Sequence, residues 1–218
     1  MARVTLIDPE TASDTVKRNF EASALLFGGG RPVNSQLVMA HTPHVAKFIT
    51  PLVAALQREG CGSVLSGRLK SIVDIKTSAV NACDYSLDHA RALGSANKLT
   101  DQQVLDVISD DYMSSAVLSP RQKAATLWAE HVTKNSAKDR DDVFAIVAKE
   151  FNEAELVELT LVCAFRNFRN LFNDALKMDL DAPSFEKGRA AKVDPSGLKK
   201  YLGKLIDNWP ETMPTPAD

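Results

Sequence analysis

Between residues 81 and 94 the chain reads Asn-Ala-Cys-Asp-Tyr-Ser-Leu-Asp-His-Ala-Arg-Ala-Leu-Gly. A thiol at Cys83, a hydroxyl at Ser86 and an imidazole at His89 thus fall within two helical turns. A cysteine in the first turn of a helix meets unpaired backbone N–H groups and the positive end of the dipole, and both favour thiolate. Ser86, three residues on, shares that face and can donate a hydrogen bond to sulfur; His89, three further, can relay a proton. The set is a candidate nucleophile with a nearby base. The plainer reading is a packed thiol beside a surface histidine, since free cysteine commonly behaves as a small buried hydrophobe. Asp84 also opposes thiolate formation.

The other polar candidates are sparser. Cys61 follows Gly60 in a loop, and could resolve an oxidised Cys83 only if the fold or a second subunit brought the two together. Cys163 sits in an apolar stripe and reads as core. Arg166, Asn170 and Asp174 recur every four residues along an otherwise apolar segment. Buried polar groups must be paired, so this stripe lines a pocket, crosses a subunit interface or faces water. A guanidinium there can hold a substrate carboxylate through two parallel bonds, which makes Arg166 and Asn170 candidate substrate-binding residues. His41, His44 and His131 lack a second ligand at helical spacing, and no metal site is expected.

Helices carry these residues from end to end. Thr11 and Asp14 have capping-box spacing, and Val16, Phe20, Ala24 and Phe27 follow at helical intervals before the triplet Gly28-Gly29-Gly30. A short helix from Ser35 reaches His41. Thr42-Pro43 then opens a helix in which Pro51 should kink or divide the chain. Ser66–Ala82 forms the next element, with Asn81 as a cap for the Cys83 helix. Thr100–Gln103, Ser119–Gln122 and Asn152–Glu155 are further capping boxes. The helix after Asn152 is the longest, running to about Lys177, and its apolar residues cover more than one face, so it is expected to be central. A looser stretch over 181–197 leads to an amphipathic helix with Leu198, Leu202, Leu205, Ile206 and Trp209, and the tail from Pro210 is expected to fray. No period-2 strand and no repeat stands out. The expectation is an all-α helical bundle of about eight to ten helices, with a domain over 1–182 and an extension over 183–218.

Composition narrows the function classes. In 218 residues, 26 basic and 28 acidic side chains leave a net charge of −2, with 44% hydrophobic residues and three cysteines. A chain of this size buries about 70% of its surface on folding, enough for one core without staples. Near-neutral charge argues against nucleic-acid binding, which needs a basic footprint. No apolar run approaches a membrane span, and no apolar segment of a signal peptide stands near the start. An odd number of irregularly spaced cysteines speaks against a disulfide framework. The expectation is a soluble, cytoplasmic protein.

The segment from Asn81 to Gly94 resembles the active-site region of the carboxymuconolactone decarboxylase / alkylhydroperoxidase D-like superfamily. Leu6–Glu10, Val33–Pro51, Ser119–Ala125, and Val157–Thr160 through Asn167 to Asp174–Leu176 resemble flanking elements in the same order, so the resemblance spans about residues 1–182. It implies an all-helical, homo-oligomeric fold needing no cofactor. Redox members use a Cys-x-x-Cys pair with a histidine and an upstream acid as a proton relay, whereas others are cofactor-free decarboxylases or lyases. Here the first cysteine matches Cys83. The second falls on Ser86, the usual histidine position on Ala90 and the acid on Ser71, with Asp74 one turn later. Serine cannot close a disulfide. The leading expectation is therefore a one-cysteine, peroxidase-type oxidoreductase. Cys83, Ser86 and His89 would be catalytic, the substrate a hydroperoxide and the reductant an external thiol. The alternative is a decarboxylase, lyase or isomerase acting on a small organic acid or lactone, with His89 moving a proton and Arg166 binding carboxylate.

Overall fold

The computed structural model describes residues 2–28, 30–182 and 191–209. Ten α-helices occur among them: α1 Asp14–Phe27, α2 Asn34–Met39, α3 Pro43–Gln57, α4 Gly67–Val80, α5 Asp84–Ala96, α6 Asp101–Ile108, α7 Pro120–Thr133, α8 Asp141–Val147, α9 Glu153–Ala175 and α10 Pro195–Asp207. No strand is present among these residues beyond one isolated bridge, Glu59 with Lys192, so the fold is all-α. The capping boxes at Thr100, Ser119 and Asn152 form with both reciprocal bonds. Two caps fall elsewhere than expected. Ser13 rather than Thr11 precedes α1, and Asn81 closes α4 while Cys83 precedes α5.

The helix at the centre is α4, not α9. It packs against α3, α5, α6, α7 and α9, and Leu69 through Ser78 are all buried. Its polar side chains conceal this in the sequence because each buried charge is matched in the fold. Lys70 Nζ donates to the carbonyls of Ala55 (2.8 Å) and Arg58 (3.0 Å) and pairs with Glu158 at 3.1 Å. Lys76 donates to Ser109 O at 3.0 Å, and Asp74 pairs with Arg166 of α9. By contrast α9 leaves Val157, Leu161, Phe168 and Leu171 exposed on its outer side.

Pro51 neither ends nor divides α3, which is continuous from Pro43 to Gln57. A proline inside a helix leaves the carbonyl four residues earlier without its donor. Here that carbonyl is Lys47 O, and the Tyr201 hydroxyl of α10 donates to it at 2.5 Å. Tyr201 is 1% exposed, so the bond is shielded from water. Tyr201→Phe is expected to lower stability by about 1–3 kcal/mol by orphaning a buried acceptor, read as a lower urea midpoint with unchanged slope.

Residues 191–209 are thus tied to the bundle. α10 packs on α1, and Val193 N–H donates to Glu59 O at 2.7 Å. Gly60 has φ +102°, and a Cβ there would lie 2.0 Å from Val193 O, so only glycine permits this approach. The looser stretch and frayed tail expected from the sequence fall largely on residues 183–190 and 210–218, outside the described residues. No described helix is long and apolar enough to cross a membrane.

Candidate functional site

A cavity of about 440 Å³ opens where α1, α2, α3, α5 and α9 meet the loop before α2 and the segment after α9. Its apolar wall includes Phe20, Phe27, Met39 and Val53, and its polar wall includes Ser86, His89, Arg58, Arg166, Arg169 and Asp181. Among the described residues no cluster of three metal-ligating side chains occurs.

Two of the three catalytic candidates reach this cavity. Ser86 and His89 are three residues apart on α5, on adjacent turns, and both line it. Asn173 Nδ2 donates to Ser86 Oγ at 3.0 Å. His89 is 7% exposed and its Nε2 lies 2.7 Å from Asp181 Oδ2. The Tyr85 hydroxyl donates to that same oxygen at 2.8 Å and accepts the Ser35 N–H at 3.1 Å. Tyr85 also packs against the imidazole, with ring centroids 4.4 Å apart and planes inclined at 33°. Asn34 N–H donates to Asp181 Oδ1 at 2.8 Å. Burial alone would raise the Asp181 pKa, but the bonds from His89, Asn34 and Tyr85 outweigh it and bring the carboxyl below its ordinary value. An ionised Asp181 only accepts, so the neutral imidazole carries its proton on Nε2, and Nδ1 is its basic nitrogen.

Cys83 is placed differently from the expectation of a reachable thiolate. It is 0% exposed, absent from the cavity wall, and packed with Val38, Tyr85 and Met178. Its thiol donates weakly to Asn170 O at 3.8 Å. Burial, followed by a hydrogen bond involving Asp174, pushes its pKa up despite the opposing contacts from Ser86. The geometric reason is simple. Cys83 stands before α5 with an extended backbone instead of in its first turn, and it does not join the helix face that carries Ser86 and His89 to the cavity. Cys163 is buried and its pKa is also raised, chiefly by burial; Cys61 is half-buried against the apolar cluster that joins α1, α3 and α10.

The polar stripe of α9 divides. Arg166 lines the cavity but is committed to Asp74. Asn170 is fully buried and off the cavity wall, donating to Thr77 O at 3.3 Å and accepting from Ser78 at 3.5 Å; it fastens α9 to α4 instead of facing a substrate. Asp174 is exposed. Arg58, Tyr85, Arg169 and Asp181 are the site residues that sequence reading passed over. Arg169 lies one turn beyond Arg166, a usable signal, whereas Asp181 follows the helix with no local pattern to mark it.

This architecture recurs among solved structures. An uncharacterized peroxidase-related protein from Ralstonia eutropha JMP134 with an alkylhydroperoxidase AhpD core superposes with a TM-score of 0.69 at 20% identity, over 88% of this chain and 98% of that one. The chain has the alkylhydroperoxidase D fold. A peroxidase-related protein from Silicibacter sp. TM1040 matches with a TM-score of 0.68 at 21% identity, over 83% of this chain and 92% of its own. The debrominase Bmp8, as its C82A variant in complex with 2,3,4-tribromopyrrole, matches with a TM-score of 0.66 at 17% identity, over 92% of this chain and 100% of its own. No family model and no curated protein matches the sequence.

Proposed function

We propose that the chain is a cofactor-free acid–base enzyme of the lyase or isomerase class, in which His89 moves a proton on a small organic molecule held in the cavity. One observation carries this reading: His89 faces the cavity with Asp181 fixing its ring, while Cys83 is fully buried and off the wall. Ser86, held by Asn173, lines the same cavity one turn before His89. Homo-oligomer formation belongs to the same proposal, and the apolar stripe Val157, Leu161, Phe168 and Leu171 on α9 is the surface a second copy would cover.

A thiol-peroxidase reading draws on the names of the peroxidase-related neighbours and on the match of Cys83 to the first motif cysteine. In it a Cys83 thiolate attacks a hydroperoxide, giving a sulfenate and an alcohol, and an external thiol reduces the sulfenate. It requires the start of α5 to open, because the sulfur otherwise meets no solvent.

Proton NMR in D2O distinguishes the two, with a panel of α-keto acids, β-keto acids and unsaturated lactones. Solvent exchange, decarboxylation or double-bond migration is expected from the wild type. It should fall about 10²–10⁴-fold in His89→Asn and persist in Cys83→Ala. Cys83 in the folded protein is expected to resist iodoacetamide. Rapid labelling, with peroxide turnover that disappears in Cys83→Ala, would transfer the assignment to sulfur.

A further inference from the structure

The cavity wall carries buried polar atoms that nothing among the described residues satisfies: Gln57 Nε2, Arg58 Nε and Nη1, Arg166 Nε and Asn173 Oδ1. Four of these five are hydrogen-bond donors, so the unmet demand is for acceptors. Arg58 is the extreme case. It is 7% exposed, its guanidinium lies 5.4 Å from the Phe27 ring centroid, and it has no carboxylate partner in an ion pair among the described residues. The neighbouring guanidiniums do not relieve it. Arg166 is held by Asp74, and Arg169 donates to Ser35 Oγ at 3.2 Å. Burial pushes both Arg58 and Arg169 down to about 10, against partial compensation from Asp74. A buried cation with open donors is costly unless a counter-charge arrives.

We propose that Arg58, with Gln57 and Arg169 beside it, is an anion receptor, and that the cavity takes a small monocarboxylate with an apolar body. Its volume is in the range of small-molecule sites. Phe20, Phe27, Met39 and Val53 give the apolar body a wall, and the planar guanidinium suits a carboxylate. Asp181 on the same cavity repels a second negative charge, which disfavours a phosphate dianion. The inference rests on reading this cavity as the substrate site, but not on the chemistry assigned to His89.

Calorimetric titration with benzoate as probe, benzamide as its neutral counterpart and phenyl phosphate as the dianion tests it. Benzoate should bind about tenfold or more tightly than benzamide and raise the melting temperature. Arg58→Gln should weaken benzoate by about tenfold or more and leave benzamide unchanged. Benzoate has no acidic C–H for an imidazole to remove, so its binding is read apart from turnover and a failed proton-transfer assignment stays separable from a failed receptor. Ligand-free Arg58→Met should melt at or above the wild type, because the substitution removes an unpaired buried cation. Absence of benzoate binding, equal affinity for benzoate and benzamide, or unchanged benzoate binding in Arg58→Gln overturns the proposal. So does preference for phenyl phosphate. A strong fall in melting temperature in Arg58→Met would also overturn it, since Arg58 would then serve to balance Asp74.

Discussion

Arg166→Met is expected to destabilise the folded chain by about 3–5 kcal/mol, the largest single loss at this site. Asp74 is 0% exposed and Arg166 3% exposed, so water cannot replace the missing partner. Asp74 Oδ1 already has no hydrogen-bond partner among the described residues, and losing the ion pair strips the other oxygen as well. Urea denaturation should show a lower midpoint with an unchanged slope. The double variant Asp74→Leu/Arg166→Met should recover much of the loss, because it removes both buried charges together. An equal or deeper loss in the double variant would mean that the cost lies in packing rather than in the orphaned carboxylate. The Arg140–Asp142 pair is a natural control. Its members are both exposed, and solvent screens such pairs, so Arg140→Ala should produce no comparable change.

The same pair shows where sequence reading succeeds and where it stops. Helix starts marked by local chemistry, such as Ser119-Pro120-Arg-Gln122, are recovered because the cap is satisfied within one turn. Ser86 and His89 are legible as a pair for the same reason, being on adjacent turns of one helix. Burial of polar residues is not local. Lys70, Asp74 and Lys76 give α4 the look of a surface helix, and only tertiary partners on α3, α7 and α9 make its central position tolerable. Conversely, the apolar breadth of α9 suggests a core helix, yet part of it faces outward. Arg58 stands at the C-terminal cap of α3, where a basic residue ordinarily stabilises the dipole and meets solvent. Its burial depends on how α3 meets its neighbours. Asp181 reaches His89 across 92 residues of sequence, a distance over which spacing rules carry no information.

Asp181→Asn is expected to reduce the turnover assigned to His89 by about 10²–10⁴-fold, chiefly in kcat. Asp181 is a positioning residue, since it acts through the imidazole. A carboxylate can only accept, which keeps the proton on Nε2. An asparagine amide can donate to Nε2 instead, shifting the proton to Nδ1 and removing the base. A loss confined to KM would instead indicate a distorted pocket. Stability supplies an independent reading. The Asp181 pKa is depressed below the ordinary value of 3.8. The carboxylate therefore stabilises the fold above that value, and the contribution is lost as pH falls through the depressed one. The amide of the Asp181→Asn variant has no such titration. The stability gap between wild type and variant should narrow on acidification from about pH 5 to about pH 2. A gap independent of pH would mean that the Asp181 carboxyl titrates alike in the folded and unfolded chain, and a gap that shifts in favour of the wild type on acidification would mean that Asp181 is protonated in the fold, so that His89 lacks the anion that sets its tautomer.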